Sequence, residues 1–289
     1  MNVLVILLPV AYAIFYWWFT TGAVMVVYGR SERVYRLYFA FLTAVMLAAF
    51  VGIVQTRSVE NPAQVYLAFS FGGVMWGWQT ASYYLGIITG PKQLPASIDP
   101  QDESLKTRFR SALYFSMYHE ILCLIVAVIL AAVIWQSENR WALWTYLTLW
   151  FMHSSAKLNV FLGVRNFHIE FLPHQLHHLG RLLTKRANNA LFPFSVVVAS
   201  SVALTLVYQA IMPGTDPAQT IGFVLIATMI SLGVMEHWLM VLPIPSMIWG
   251  WGMKQLPEPP ESEHKTAEQR STNEFRSEIR GAMWSQHDP

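Results

Sequence analysis

Charge is scarce in this 289-residue chain: Asp, Glu, Lys and Arg make up 12% of it, where a soluble globular chain carries about 25%. So little polar surface cannot cover a water-exposed body. Cysteine is scarcer still. The lone Cys123 lies in an apolar run, which excludes a disulfide framework within one chain and a CxxC metal or redox site. GxGxxG and Walker patterns for nucleotides are missing, as is the GxSxG of many hydrolases. A net charge of +2 gives no reason to expect nucleic acid as a partner, because membrane topology also demands positive charge. What remains is apolar and aromatic: 54% hydrophobic residues, with 12 Trp, 12 Tyr and 17 Phe. These proportions describe a membrane protein.

Seven stretches are long enough to cross a hydrocarbon layer of about 30 Å, which takes about 20 helical residues. They fall near 2–28, 37–54, 64–89, 112–135, 141–162, 190–212 and 219–242. None alternates with a period of two, and backbone groups in lipid must be satisfied internally, so helices are expected and a barrel is not. The first stretch is too long for a signal-peptide core and lacks a basic flank, so it is expected to stay as a span. The fold class is therefore all-α, a polytopic bundle of about seven transmembrane helices over residues 1–252. "FGGVMWGW", 71–78, is read as small-residue packing inside a span.

Basic residues alternate between the loops. Arg30, Arg33 and Arg36 follow the first span; Lys92, Lys106, Arg108 and Arg110 follow the third; Arg165, Arg181, Lys185 and Arg186 follow the fifth. The opposite loops hold only Arg57, only Arg140, and none. The positive-inside rule then places the N-terminus in the periplasm and the C-terminus in the cytoplasm. Residues 253–289 turn polar and Pro-broken, as a largely disordered cytoplasmic tail would.

The stretch "FLPHQLHHLGRLLTKR", 171–186, contains HxxHH at His174, His177 and His178, a histidine-box spacing of membrane di-iron oxygenases. On a helix at 100° per residue, Leu172, Leu176, Leu179 and Leu183 gather on one side, and His174, His178, Arg181 and Lys185 on the other. Two permanent cations beside the imidazoles suit a cytoplasmic interfacial helix against anionic headgroups better than a dication pocket. No second histidine box completes the metal site, so no metal ligand is assigned.

Six ionisable residues inside the spans share one expected depth: His119 and Glu120 in span four, His153 and Lys157 in span five, Glu236 and His237 in span seven. All lie roughly 8 to 14 Å from the cytoplasmic boundary at 1.5 Å rise per residue. Such groups cost a few kcal/mol each in a bilayer and therefore face the interior, where they pair or function. His153 and Lys157 are one turn apart, Glu120 and Glu236 offer matching charge, and Gln79, Tyr83 and Tyr84 are within reach. Several roles are open: a latch between helices, a pigment or tetrapyrrole site, a catalytic metal site, or a proton relay.

"AKLNVFLGVRNFHIEFLP", 156–173, and "NNALFPFSV", 188–196, resemble the signature segments of the PuhE-type family of photosynthetic complex assembly proteins of anoxygenic phototrophic bacteria. The resemblance implies a multi-pass protein of the cytoplasmic or intracytoplasmic photosynthetic membrane. It implies a role in assembling the reaction centre with its core light-harvesting complex, or in modulating bacteriochlorophyll supply. Partners would be membrane lipids, reaction-centre and light-harvesting polypeptides, and bacteriochlorophyll, the one cofactor the reading leaves open. The family carries no catalytic residues over, so a non-enzymatic assembly factor is expected. The competing readings are a metal-dependent membrane oxidoreductase using the intramembrane His and Glu side chains, and a tetrapyrrole or lipid carrier.

Overall fold

The computed structural model describes residues 3–27, 30–90, 104–165 and 189–242. Seven helices run through them: α1 (Leu4–Met25), α2 (Glu32–Thr56), α3 (Pro62–Tyr84), α4 (Leu105–Ile134), α5 (Trp141–Leu162), α6 (Leu191–Ile211) and α7 (Pro217–Leu239). No strand occurs among the described residues, and the class is all-α as the apolar runs require. The expected interfacial helix with His174, His178, Arg181 and Lys185, and the tail 253–289, lie outside the described residues.

Local chemistry sets the helix starts. Asn61 Oδ1 accepts from the Gln64 N–H at 3.0 Å with Pro62 in the first helical position, and Asp216 Oδ2 accepts from the Ala218 N–H at 2.8 Å ahead of Pro217. Ser104 Oγ accepts from the Thr107 N–H at 3.2 Å and starts α4 at Leu105, earlier than its apolar run suggests. Only the stretch Ser116–Ile134 of that 30-residue helix is apolar enough to lie in a bilayer. α3 closes at Tyr84, sooner than its apolar run does, and Gly86 at φ +70° turns the chain away.

Five helices (α1, α2, α4, α6 and α7) are long and apolar enough to cross a membrane, which makes this a multi-pass membrane protein. α3 and α5 fall short of that apolarity, and packing explains why. α3 lies against α2, α5 and α7, while α5 lies against α3, α4 and α7. Helices walled in by others need no lipid-compatible surface, and these two carry Gln79, Thr80 and Ser82, and His153, Ser154, Ser155, Lys157 and Asn159. α1 and α6 are the reverse, with only 11% of their apolar windows buried. Leu8, Phe15 and Phe19 on α1, and Phe194, Val197 and Leu204 on α6, face outward.

The core gathers Phe69, Leu130, Tyr146, Ile53 and Leu225 around the α3–α5–α7 axis. The small residues of 71–78 act there as spacers. A Cβ on Gly72 would sit 2.3 Å from the Ala142 carbonyl oxygen, and one on Gly73 would meet the Tyr16 ring. Backbones approach that closely only without a side chain between them.

Candidate functional site

Side-chain phase on α5 organises the polar interior. His153 and Lys157 are separated by one turn and share one side of the helix, while Ser155 and Asn159 share nearly the opposite side. The first side meets α3 and α4. There Lys157 Nζ forms an ion pair with Glu120 Oε1, and Trp150 Nε1 donates to Glu120 Oε2 at 2.9 Å. Both carboxylate oxygens of Glu120 are thereby engaged. His119, one residue back on α4, is buried against Tyr83 at 4.9 Å and Trp76 at 5.8 Å between ring centroids, and lies 5.9 Å from the His153 ring.

Behind this pair runs a polar column that reaches toward mid-bundle. The Tyr146 hydroxyl donates toward Gln79 Oε1 at 2.6 Å and the Cys123 carbonyl at 2.9 Å, and Cys123 Sγ contacts His119 Nε2 at 3.6 Å. Gln79, Tyr146 and Cys123 are fully enclosed. His119 Nδ1 and Gln79 Nε2 are buried without a partner, each costing about 1–3 kcal/mol of lost hydration.

The second side of α5 meets α7. His237 Nδ1 donates to the Gly233 carbonyl at 2.7 Å, so the neutral ring presents Nε2 to the Ser155 hydroxyl, 2.9 Å away. His237 is thus spent twice over in holding α7 to α5. Glu236, 100° further round α7, points out of the bundle and accepts from Trp17 Nε1 of α1 at 3.0 Å. The six residues expected in one layer therefore divide. His119, Glu120, His153 and Lys157 come together; His237 and Glu236 make separate links to Ser155 and Trp17. Trp150 and Ser155 were not singled out from sequence, because indole and hydroxyl donors are common in any membrane helix and no spacing marks these ones.

His153 differs from the other two intramembrane histidines. Among the described residues neither of its ring nitrogens has a hydrogen-bond partner, and neither is shut off from the surface as His119 Nδ1 is. Its ring stands between Trp76 at 5.3 Å and Tyr84 at 6.4 Å, both edge-on. A partly open imidazole walled by aromatic rings can donate a lone pair to a flat macrocycle's central metal. No group of three or more His, Cys, Asp or Glu side chains among the described residues is arranged to hold a metal ion by itself.

The model of the family described as "Protein of unknown function (DUF3623)" matches residues 3–260. The chain belongs to this family. It is 32% identical over 260 residues to a Rhodobacter capsulatus protein called "Uncharacterized 30.4 kDa protein in puhA 5'region", covering 86% of this chain and 91% of that one. No solved structure matches. The PuhE-type membership expected from the two signature segments is borne out, since the match runs through both.

Those two family segments meet in the fold. Asn189 Nδ2 donates to the carbonyls of Asn159 at 3.2 Å and Gly163 at 3.0 Å, while Asn159 Nδ2 donates to Ser195 Oγ at 3.1 Å and the Ser155 carbonyl at 3.0 Å. Asn189 Oδ1 in turn accepts from the Phe192 N–H at 2.9 Å and starts α6. Gly163, at φ +107°, ends α5 in a conformation other residues rarely adopt and points its carbonyl at Asn189. The knot continues from Asn159 to Ser155 and so to His237, joining α5, α6 and α7.

Proposed function

We propose that the protein is an assembly factor for the photosynthetic reaction centre and its core light-harvesting complex. It acts without catalysis, contacts the polypeptides of those complexes through its lipid-facing helices, and holds bacteriochlorophyll transiently through His153. The observation that carries the pigment clause is the free, partly open His153 imidazole between Trp76 and Tyr84, at a level where His237 is committed to Ser155 and Gly233 and His119 is walled in. The name of the R. capsulatus relative supports the photosynthetic context, for it ties that protein's gene to puhA. A metal-dependent oxidoreductase finds less support, because both oxygens of Glu120 are engaged by Lys157 and Trp150.

The protein resides in the bacterial cytoplasmic membrane or its photosynthetic extension, with seven spans, the N-terminus outside and the C-terminus inside. The alternation of Lys and Arg between loops supports that orientation. So does the enclosure of α3 and α5, which explains their lower apolarity without removing them from the bilayer.

The test is an absorption spectrum of protein purified from a pigment-producing host. Bound bacteriochlorophyll that is lost in His153→Ala and kept in Ser155→Ala is the expected result. Pigment-free wild-type protein ends the pigment clause. Co-purification of reaction-centre or antenna polypeptides tests the assembly clause separately, and their consistent absence ends it.

A further inference from the structure

At the end of the bundle away from His153, the turns after α2 and α4 border an open cleft of about 500 Å³. Its walls combine opposite charges with apolar surface: Arg57 and Ser58 from the turn after α2, Gln136 and Glu138 from the turn after α4, with Val133 and Trp135 from the end of α4. Arg57 and Glu138 line the same space yet form no ion pair with each other. Arg57 spends one N–H on the Val133 carbonyl at 2.9 Å, which leaves its other guanidinium donors free and fixes the side chain against the end of α4. The rim is also rigid, because the Asn139 N–H donates to the Arg57 carbonyl at 3.0 Å and ties the two turns together. Trp135 is 73% exposed at the cleft mouth, one residue past the apolar stretch Ser116–Ile134, at the level where indoles mark a membrane interface.

We infer that this cleft binds the headgroup of a zwitterionic phospholipid bearing a primary amine, phosphatidylethanolamine. A cation and an anion that line one cleft without pairing with each other can meet the phosphate and the ammonium of a single headgroup. The phosphate oxygens accept from Arg57, and the ammonium donates to the Glu138 carboxylate. Val133 and Trp135 supply an apolar exit for the acyl chains toward the bilayer. A quaternary choline headgroup cannot donate to Glu138, and a phosphatidylglycerol headgroup leaves that carboxylate without a counter-charge beside a second anion. The site thus discriminates through amine chemistry as well as phosphate charge. It stands apart from the assembly reading and requires only that the ends of α2 and α4 lie at a bilayer surface.

Native mass spectrometry of the full chain in detergent, with phosphatidylethanolamine, phosphatidylcholine and phosphatidylglycerol added in equal amounts, reads the preference directly. Retention of phosphatidylethanolamine about tenfold above phosphatidylcholine is expected from one charge-assisted hydrogen bond. Glu138→Gln, at a side chain that makes no hydrogen bond within the fold, is expected to bring the two within about twofold. Arg57→Gln is expected to lower retention of all three lipids; because it also frees the Val133 carbonyl, Glu138→Gln carries the decision if that variant fails to fold. Equal retention of the three lipids by the wild type overturns the proposal, and so does a preference unchanged in Glu138→Gln. Strongest retention of phosphatidylglycerol would mean that Arg57 reads negative charge alone, which also overturns it. Displacement of the lipid by equimolar soluble phosphoethanolamine would reassign the site to a free phosphoester and refute the lipid claim.

Discussion

The two ends of the bundle are held together by different balances of side-chain to backbone and side-chain to side-chain hydrogen bonds. At the end with the short connections 57–61, 135–140 and 212–216, most side-chain bonds go to backbone, and the Trp141 Nε1 bond to Glu60 Oε1 at 2.7 Å joins side chains. Asn139 Nδ2 serves the carbonyls of Thr56 at 3.3 Å, Val59 at 3.4 Å and Gln64 at 3.1 Å, and its Oδ1 accepts from the Trp141 N–H at 3.3 Å. At the opposite end the backbone-directed bonds of Asn159 and Asn189 are joined by more side-chain pairs across helices: Lys157 with Glu120, Trp150 with Glu120, Ser155 with His237, Trp17 with Glu236. Backbone-directed bonds fix where a hairpin turns, and they would suit many helix sequences. Side-chain pairs choose which helices become neighbours, and each depends on both partners being present. The first end fixes the hairpins; the second gathers most of the ionisable side chains of the bundle interior.

That contrast can be broken most forcefully at the charged pair. Lys157→Met leaves the Glu120 carboxylate partly enclosed and unpaired, with an expected cost of about 3–5 kcal/mol. Lys157→Met combined with Glu120→Gln is expected to recover most of it. Thermal unfolding in detergent measures both, and a double variant no better than the single would show that the pair does not act as a unit.

The short-connection end is expected to respond next, and in a different order. Asn139→Ala removes the two amide N–H donors shared among three carbonyls and the acceptor of one N–H, for a loss of about 2–3 kcal/mol, whereas Asn139→Asp turns a carboxylate oxygen toward those carbonyls and loses more. Equal stability of the two variants would contradict the donor role assigned to this side chain. Ser155→Ala then probes a neutral link at the long-connection end. It removes the partner of His237 Nε2 and is expected to cost about 1–2 kcal/mol while sparing the Lys157–Glu120 pair. Hydrogen exchange localised to the end of α7 would sharpen the assignment. The smallest effect belongs to Trp78→Phe, which deletes the indole bond to Thr43 Oγ1 at 2.9 Å on α2. Intramembrane polar contacts average about 0.6 kcal/mol, so its unfolding midpoint should barely move.

The order and approximate bounds of the helices among the described residues were legible because long apolar runs have few alternatives in a chain with this little charge. The pairing of Lys157 with a carboxylate was legible too, since a buried ammonium must find one. Which carboxylate it finds was not. Glu120 and Glu236 were equivalent by depth and charge, and only the rotation of α4 and α7 about their axes separates them. That phase left little trace, because apolar and aromatic residues surround these helices on all sides and no polar stripe marks a facing side. The same degeneracy hid Ser155 behind its more conspicuous neighbours His153 and Lys157. Asn159 and Asn189 were visible as parts of two separate segments; that they bind each other required the chain to fold back.

By itself the chain's composition determined that it lives in a membrane, as helices, with a few ionisable residues that must be gathered inward. Those outcomes follow from the cost of exposing peptide groups and charges to hydrocarbon, which is paid residue by residue and needs no neighbour to evaluate. Tertiary packing alone decided that α3 and α5 lie within the bundle, that Glu120 rather than Glu236 receives Lys157, and that His153 keeps its nitrogens free. Those choices depend on the relative rotation of packed helices, a property of pairs of surfaces that no single segment contains.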